Sequence, residues 1–265
     1  MAPPMASPLV ADAVEVGYGG APVLQDLSLS IPAGRVTTII GPNGCGKSTL
    51  LRVLGRILRP SGGQVLLNGR ALSTLRPRDV ARELALLPQT PVAPEGMTVA
   101  DLAARGRQPH QPWYRQWSVG DELIAEKAMA STGVLGLAET VLDELSGGQR
   151  QRAWIAMTLA QQTDVLLLDE PTTHLDLAHA VEVLDLVVRL RRETGRTILL
   201  VLHDLSLAVR YSDHLVVMDR GRIVGEGPPG EIMTAELLRE VFGLRAHVFP
   251  DPVDGLPTVV PAHRG

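Results

Sequence analysis

Over the first forty residues apolar and polar positions alternate in short runs. Leu27, Leu29 and Ile31 are separated by Ser28 and Ser30, the period of two expected of an antiparallel strand with one buried face. Residues 10–16, 23–31 and 35–40 are predicted as strands between Gly and Pro turns. Thr37-Thr-Ile-Ile40 is β-branched and apolar throughout, like a strand buried on both faces. Further strands are predicted at 64–67 and 84–87. Between about 91 and 162 the period lengthens, with helical spacing in 99–105, 122–132 and 147–160 and no convincing strand. Alternation then returns: strand 165–168, helix 178–193, strand 197–202, helix 205–211, strand 215–218. That order predicts an α/β core with a parallel sheet and crossover helices, interrupted by a helical insert. The first eight residues hold three prolines and read as a loose arm, and residues 243–265 hold four and no long periodic segment.

Composition narrows the class. A chain of 265 residues predicts one or two compact units at about 150 residues each. Cys45 is the single cysteine, which excludes an internal disulfide and a cysteine-built zinc site. A net charge of −4 argues against a nucleic-acid partner, which calls for a clustered basic excess. No apolar run approaches the roughly 20 residues of a membrane span, and the first ten residues carry no Lys or Arg of a signal peptide. The expectation is a soluble, cytosolic chain that meets a membrane only through a partner.

Chemistry enters at Gly41-Pro-Asn-Gly-Cys-Gly-Lys-Ser-Thr49, which fits G-x-x-x-x-G-K-[ST] between a buried strand and a helix. Glycines let the backbone approach phosphate, and N–H groups converge at the helix start. Lys47 is expected to reach the β- and γ-phosphates and Ser48 to ligate Mg²⁺. Cys45, inside the loop, reads as a small side chain at a crowded position. Val165-Leu-Leu-Leu-Asp-Glu-Pro171 ends a core strand in two acids: Asp169 to hold Mg²⁺ through water, Glu170 to act as general base on the attacking water. Ser146, Gly147, Gly148 and Gln149, followed by Arg-Gln-Arg, open the helix to Ala160 and offer an anion site at its start.

With the Ser146 turn after the phosphate loop and just before the acidic pair, the three motifs resemble the nucleotide-binding subunit of ATP-binding cassette (ABC) transporters. The resemblance implies a P-loop NTPase core with a mostly parallel sheet, an N-terminal antiparallel β-subdomain and an inserted α-helical subdomain. It also implies a nucleotide-binding domain over 8–245, an insert near 91–162 and a C-terminal tail at 246–265. It assigns ATP binding to Tyr18, stacked on adenine, and to Gly41, Pro42, Asn43, Gly44, Cys45, Gly46, Lys47, Ser48 and Thr49. Gln89 becomes the glutamine that touches Mg²⁺ and water and couples to the membrane subunit. Asp176, in Thr172-Thr-His-Leu-Asp176, faces the partner copy, and His203 contacts the γ-phosphate. His174 stands where the family usually has Phe or Tyr. The remaining histidines, His174 and His179 among them, read as surface or structural.

The resemblance further implies a homodimer in which the Ser146 turn closes over ATP held by the other copy. Two membrane permease subunits dock on the pair, and a substrate-binding protein takes part indirectly. Such a subunit lies at the cytoplasmic face of the cell membrane. The stretches 103–111, 142–157, 172–179 and 201–205 look like importers of ferric siderophores, with haem and vitamin B12 importers as the alternative cargoes. A soluble, non-transport ABC ATPase is the alternative of another class. Translation-type members carry two cassettes where this chain has one, and DNA-repair relatives place a coiled coil between residues that here show no heptads. A catalytically dead regulatory module conflicts with the presence of Glu170 and His203. Trp113, Tyr114 and Trp117 are candidate contacts for the membrane subunit or packing residues of the insert.

Overall fold

The computed structural model describes residues 7–17, 19, 22–111 and 117–262. The expectations for Tyr18, Trp113 and Tyr114 lie outside these residues. In chain order the elements are β1 (Leu9–Gly17), β2 (Pro22–Ile31), β3 (Val36–Ile40), α1 (Lys47–Leu54), β4 (Gly62–Leu67), β5 (Arg70–Ala71) and α2 (Pro77–Glu83). There follow β6 (Leu84–Leu87), α3 (Val99–Arg105), α4 (Val119–Ser131), α5 (Gly147–Ala160), β7 (Val165–Asp169) and α6 (Leu177–Thr194). The chain ends with β8 (Thr197–Val201), α7 (Leu205–Tyr211), β9 (His214–Asp219), β10 (Arg222–Gly227), α8 (Pro229–Ile232), α9 (Ala235–Phe242), β11 (Ala246–Pro250) and β12 (Pro257–Pro261).

Two compact units emerge, residues 1–74 with 197–265, and residues 75–196. In the first, β2, β1, β4 and β5 form an antiparallel sheet whose inward positions are Leu24, Leu27, Leu29 and Ile31 on β2. The serines between them lie on the exposed face, as the period of two requires. In a separate sheet β3 pairs in parallel with both β8 and β9, and every residue of β3 and β8 is buried. Both faces of these strands are covered, which accounts for apolar runs without alternation.

In the second unit β6 and β7 pair in parallel, and α3, α4 and α5 pack on one another. Among the described residues, no strand lies between Leu87 and Val165. Arg107, just past α3, ties the three helices together. Its guanidinium meets Asp121 in the first turn of α4 at 2.9 Å, and donates to the carbonyl of Ala160 and to Gln162 Oε1 at 2.8 Å each.

Several elements carry weak sequence signals. α2 is mostly charged and starts on a proline at its first turn, where the missing N–H costs nothing. β10 returns along β9 through Arg220 and Gly221, both at positive φ (45° and 77°), a geometry suited to a two-residue hairpin but without the usual Asn-Gly. The proline-rich end is structured: β11 and β12 pair from Ala246↔Pro261 to Pro250↔Pro257, so three of the prolines fall at strand ends, where no ladder bond is lost inside. β12 packs on α7, and Arg210 of α7 holds Asp251 and Asp254 at 2.5 and 2.9 Å.

Candidate active site

The loop between β3 and α1 takes its shape from two close approaches. Gly41 has φ 157°, and a Cβ there would lie 2.2 Å from the carbonyl oxygen of Met218. Gly46 caps α1 in the left-handed region at φ 107°, and a Cβ would come 2.9 Å from Leu24 Cδ2. Only glycine fits either place. The tip, Asn43 and Gly44, is exposed, whereas Lys47 at the root is buried. Its ammonium donates to the carbonyls of Gly41 at 2.8 Å and Pro42 at 3.0 Å, which holds the charge directly beneath the loop. Ser48 and Thr49 follow in the first turn of α1.

Cys45 is buried in the same loop, and its Sγ would lie 2.8 Å from a Cβ on Gly41. The expectation of a small side chain at a crowded position agrees with this packing. Burial pushes its thiol up from the usual range, against the opposing pull of the Lys47 charge. Such a thiol is a poor nucleophile. His203 stands two residues past β8, exposed, and Asp204 beside it caps α7 by accepting from Leu207 N at 3.0 Å.

The second unit carries the acids. β7 is buried along its whole length and ends on Asp169. Glu170 then turns the chain with φ 50°, a left-handed conformation uncommon for any residue but glycine, and its side chain is buried. Gln89, two residues past β6, donates through Nε2 to Glu170 Oε2. Thr173 Oγ1 donates to the same oxygen at 2.9 Å. Two parallel strands thus bring Gln89 and Glu170 together across 81 positions of sequence. Thr173 was missed in the sequence reading; an alcohol three positions after an acid is its one trace there.

Ser146 caps α5: its Oγ accepts from Gln149 N at 3.3 Å, and Gln149 Oε1 accepts from Ser146 N at 3.0 Å. This capping box rigidifies the turn that presents Gly147 and Gly148. Asp176 caps α6, accepting from the backbone N of His179 at 2.9 Å and meeting its Nδ1 at 2.8 Å. Those two bonds from His179 hold the Asp176 carboxyl below its usual range. Trp117 is partly exposed on the helical part of the unit.

The family model described as ABC transporter matches residues 24–173, from β2 through the phosphate loop, the Ser146 turn and the Asp169–Glu170 pair. The chain belongs to the ABC transporter family. Ferric enterobactin transport ATP-binding protein FepC of Escherichia coli (strain K12) is 51% identical to this ABC transporter ATPase over 94% of the chain and 92% of FepC. Iron(3+)-hydroxamate import ATP-binding protein FhuC of Bacillus subtilis (strain 168) is 49% identical over 89% of the chain and 88% of FhuC. Among solved structures, a metal-chelate type ABC transporter in an inward-facing conformation superposes with a TM-score of 0.84 at 27% identity, covering 98% of both chains. ATP-binding subunits of such importers hydrolyse ATP, dimerise and work with membrane permeases. Among the described residues of this ABC ATPase, no helix is long and apolar enough to cross a membrane.

Proposed function

We propose that this chain is the ATP-hydrolysing subunit that powers import of a ferric siderophore across the cytoplasmic membrane. The observation that carries the hydrolytic part is the buried carboxylate of Glu170, fixed by Gln89 and Thr173 at the end of a core strand. A carboxylate so oriented can take the proton of a water as it attacks the γ-phosphorus, giving ADP and inorganic phosphate. Lys47 supplies the charge for the phosphates, and residues 41–49 supply the cradle. Tyr18 stacks on the adenine, and His203 contacts the γ-phosphate. Iron chelates as cargo are supported by the near full-length likeness to FepC and FhuC at about 50% identity.

Mg²⁺ is the cofactor expected with ATP. The hydroxyl of Ser48, the carboxylate of Asp169 and the amide oxygen of Gln89 are hard oxygen donors of the kind this ion takes. Among the described residues no group of three or more His, Cys, Asp or Glu side chains forms a protein cage, which fits an ion held by one carboxylate, phosphates and water. When bound, it neutralises charge on the β- and γ-phosphates.

The working particle in this reading is a homodimer on two permease subunits at the cytoplasmic face, served indirectly by a substrate-binding protein. Ser146, Gly147, Gly148 and Gln149 form the lid on ATP held by the other copy, and Asp176 faces that copy. Residues 8–245 form the nucleotide-binding domain, with the helical insert at about 91–162 and the tail at 246–265. The test is Glu170→Gln in the full chain. ATP binding is retained, while phosphate release falls about 10²-fold or more. Near-normal turnover would place the base elsewhere.

A further inference from the structure

His179 ends the stretch 172–179 and read in the sequence as surface or structural, yet the structure sets it against the Ser146 turn. A Cβ built on Gly148 would lie 2.7 Å from His179 Cδ2 and 3.2 Å from its Cγ. A Cβ on Gly147 would lie 3.4 Å from Leu175 Cδ2. Side chains flanking Asp176 on both sides therefore fill the space that the two glycines leave. The ring of His179 cannot swing away freely. Asp176 Oδ1 receives its Nδ1 at 2.8 Å and its backbone N–H at 2.9 Å, which fixes the ring edge toward Gly148. One turn further along each helix, Arg152 of α5 meets Glu182 of α6 at 2.9 Å. The Ser146 turn and the Asp176 turn are thus tied twice, and the His179 tie lies at the tip.

We infer that His179 is a positioning residue of the ATPase: it locks the Ser146–Gly148 turn to Asp176, so that both are presented to the second copy as one rigid edge. The inference rests on the proposed role of the Ser146 turn as a lid on the partner's ATP. A lid whose glycines carry no side chain of their own needs a neighbour to set its position. An imidazole whose ring is anchored by one nitrogen supplies that at low entropic cost. The ring backs the turn on the side to which a Cβ at Gly148 would point.

The test uses the full chain carrying Glu170→Gln, with ATP and Mg²⁺, and reads dimer formation by sedimentation. Adding His179→Ala raises the dimer dissociation constant about tenfold, while ATP affinity measured at concentrations where the chain is monomeric changes less than about twofold. Adding His179→Asn instead, whose amide nitrogen falls near the place of Nδ1, returns dimerisation to within about threefold of the parent. His179→Gln carries its amide one bond too far and does not restore it. Dimerisation of the Ala variant equal to the parent overturns the inference. So does an Asn variant as weak as Ala, because the anchoring bond would then not matter. A parent that stays monomeric with ATP removes the lid reading itself, and the brace falls with it.

Discussion

Replacing Arg107 with Met keeps most of the apolar stem and deletes the guanidinium that joins three helices. The side chain of Arg107 is 6% exposed and that of its partner Asp121 13%. The change removes one ion pair and two hydrogen bonds, leaving the Ala160 carbonyl and Gln162 Oε1 without this donor. Breaking a buried pair by removing one partner costs about 3–5 kcal/mol. Asp121 keeps Ser118 Oγ at 2.7 Å and some contact with water, so the lower end, about 3 kcal/mol, is expected. Urea unfolding followed by tryptophan fluorescence, with buried Trp154 as a reporter in the same unit, measures it. In a double-mutant cycle with Asp121→Asn the two losses should fall short of additivity by about 1.5 kcal/mol or more. Burial alone would raise the Asp121 carboxyl, but hydrogen bonds from Ser118 and Arg107 prevail and lower it. A lowered carboxylate stabilises the fold above its unfolded value, and that stability is lost as pH falls through the folded value. The acid-side loss should therefore shrink in Arg107→Met. A cost under about 1 kcal/mol, or strict additivity, would refute the account of Arg107 as the knot of the helical part.

Two further outcomes follow from burial. His110 and His214 are both lowered from the usual imidazole range by desolvation, so the unfolded chain binds protons that the folded chain refuses. Their contribution is complete above about pH 6.5 and is lost as pH falls below it; thermal melts from pH 7.5 to 5 should show a declining midpoint, less steep in His214→Gln. Cys45 should react slowly with iodoacetamide at pH 8 in the native chain and rapidly in urea, read by mass spectrometry; equal rates would contradict a buried, raised thiol.

Elements with a strong period were legible from residues alone. The helices 99–105, 147–160 and 205–211 coincide with those observed, and in the first the stripe of Val99, Leu102 and Ala103 is the buried face. The phosphate loop was legible for a different reason, since its glycines answer to backbone geometry at fixed spacing. α2, β10 and the β11–β12 pair were not. Their stability comes from tertiary partners, such as Arg210 on Asp251 and Asp254, that no local pattern announces. In the site, Glu170 and Gln89 were each assigned, but the bond between them spans two strands and needed the fold. Thr173 and His179 lie in the stretch 172–179, but their contacts, with the Glu170 carboxylate and with Gly148, exist only once the chain has folded.

Glu170 sits in a backbone conformation that disfavours every side chain with a Cβ by about 1–2 kcal/mol. Glycine would relieve that, give back about 0.4–1 kcal/mol through a floppier unfolded chain, and forfeit the hydrogen bonds that Gln89 and Thr173 make to the carboxylate. At this position the local backbone favours glycine, whereas the proposed hydrolysis needs the acid. In the proposed reading, turnover is what keeps a strained acid where the local backbone prefers glycine.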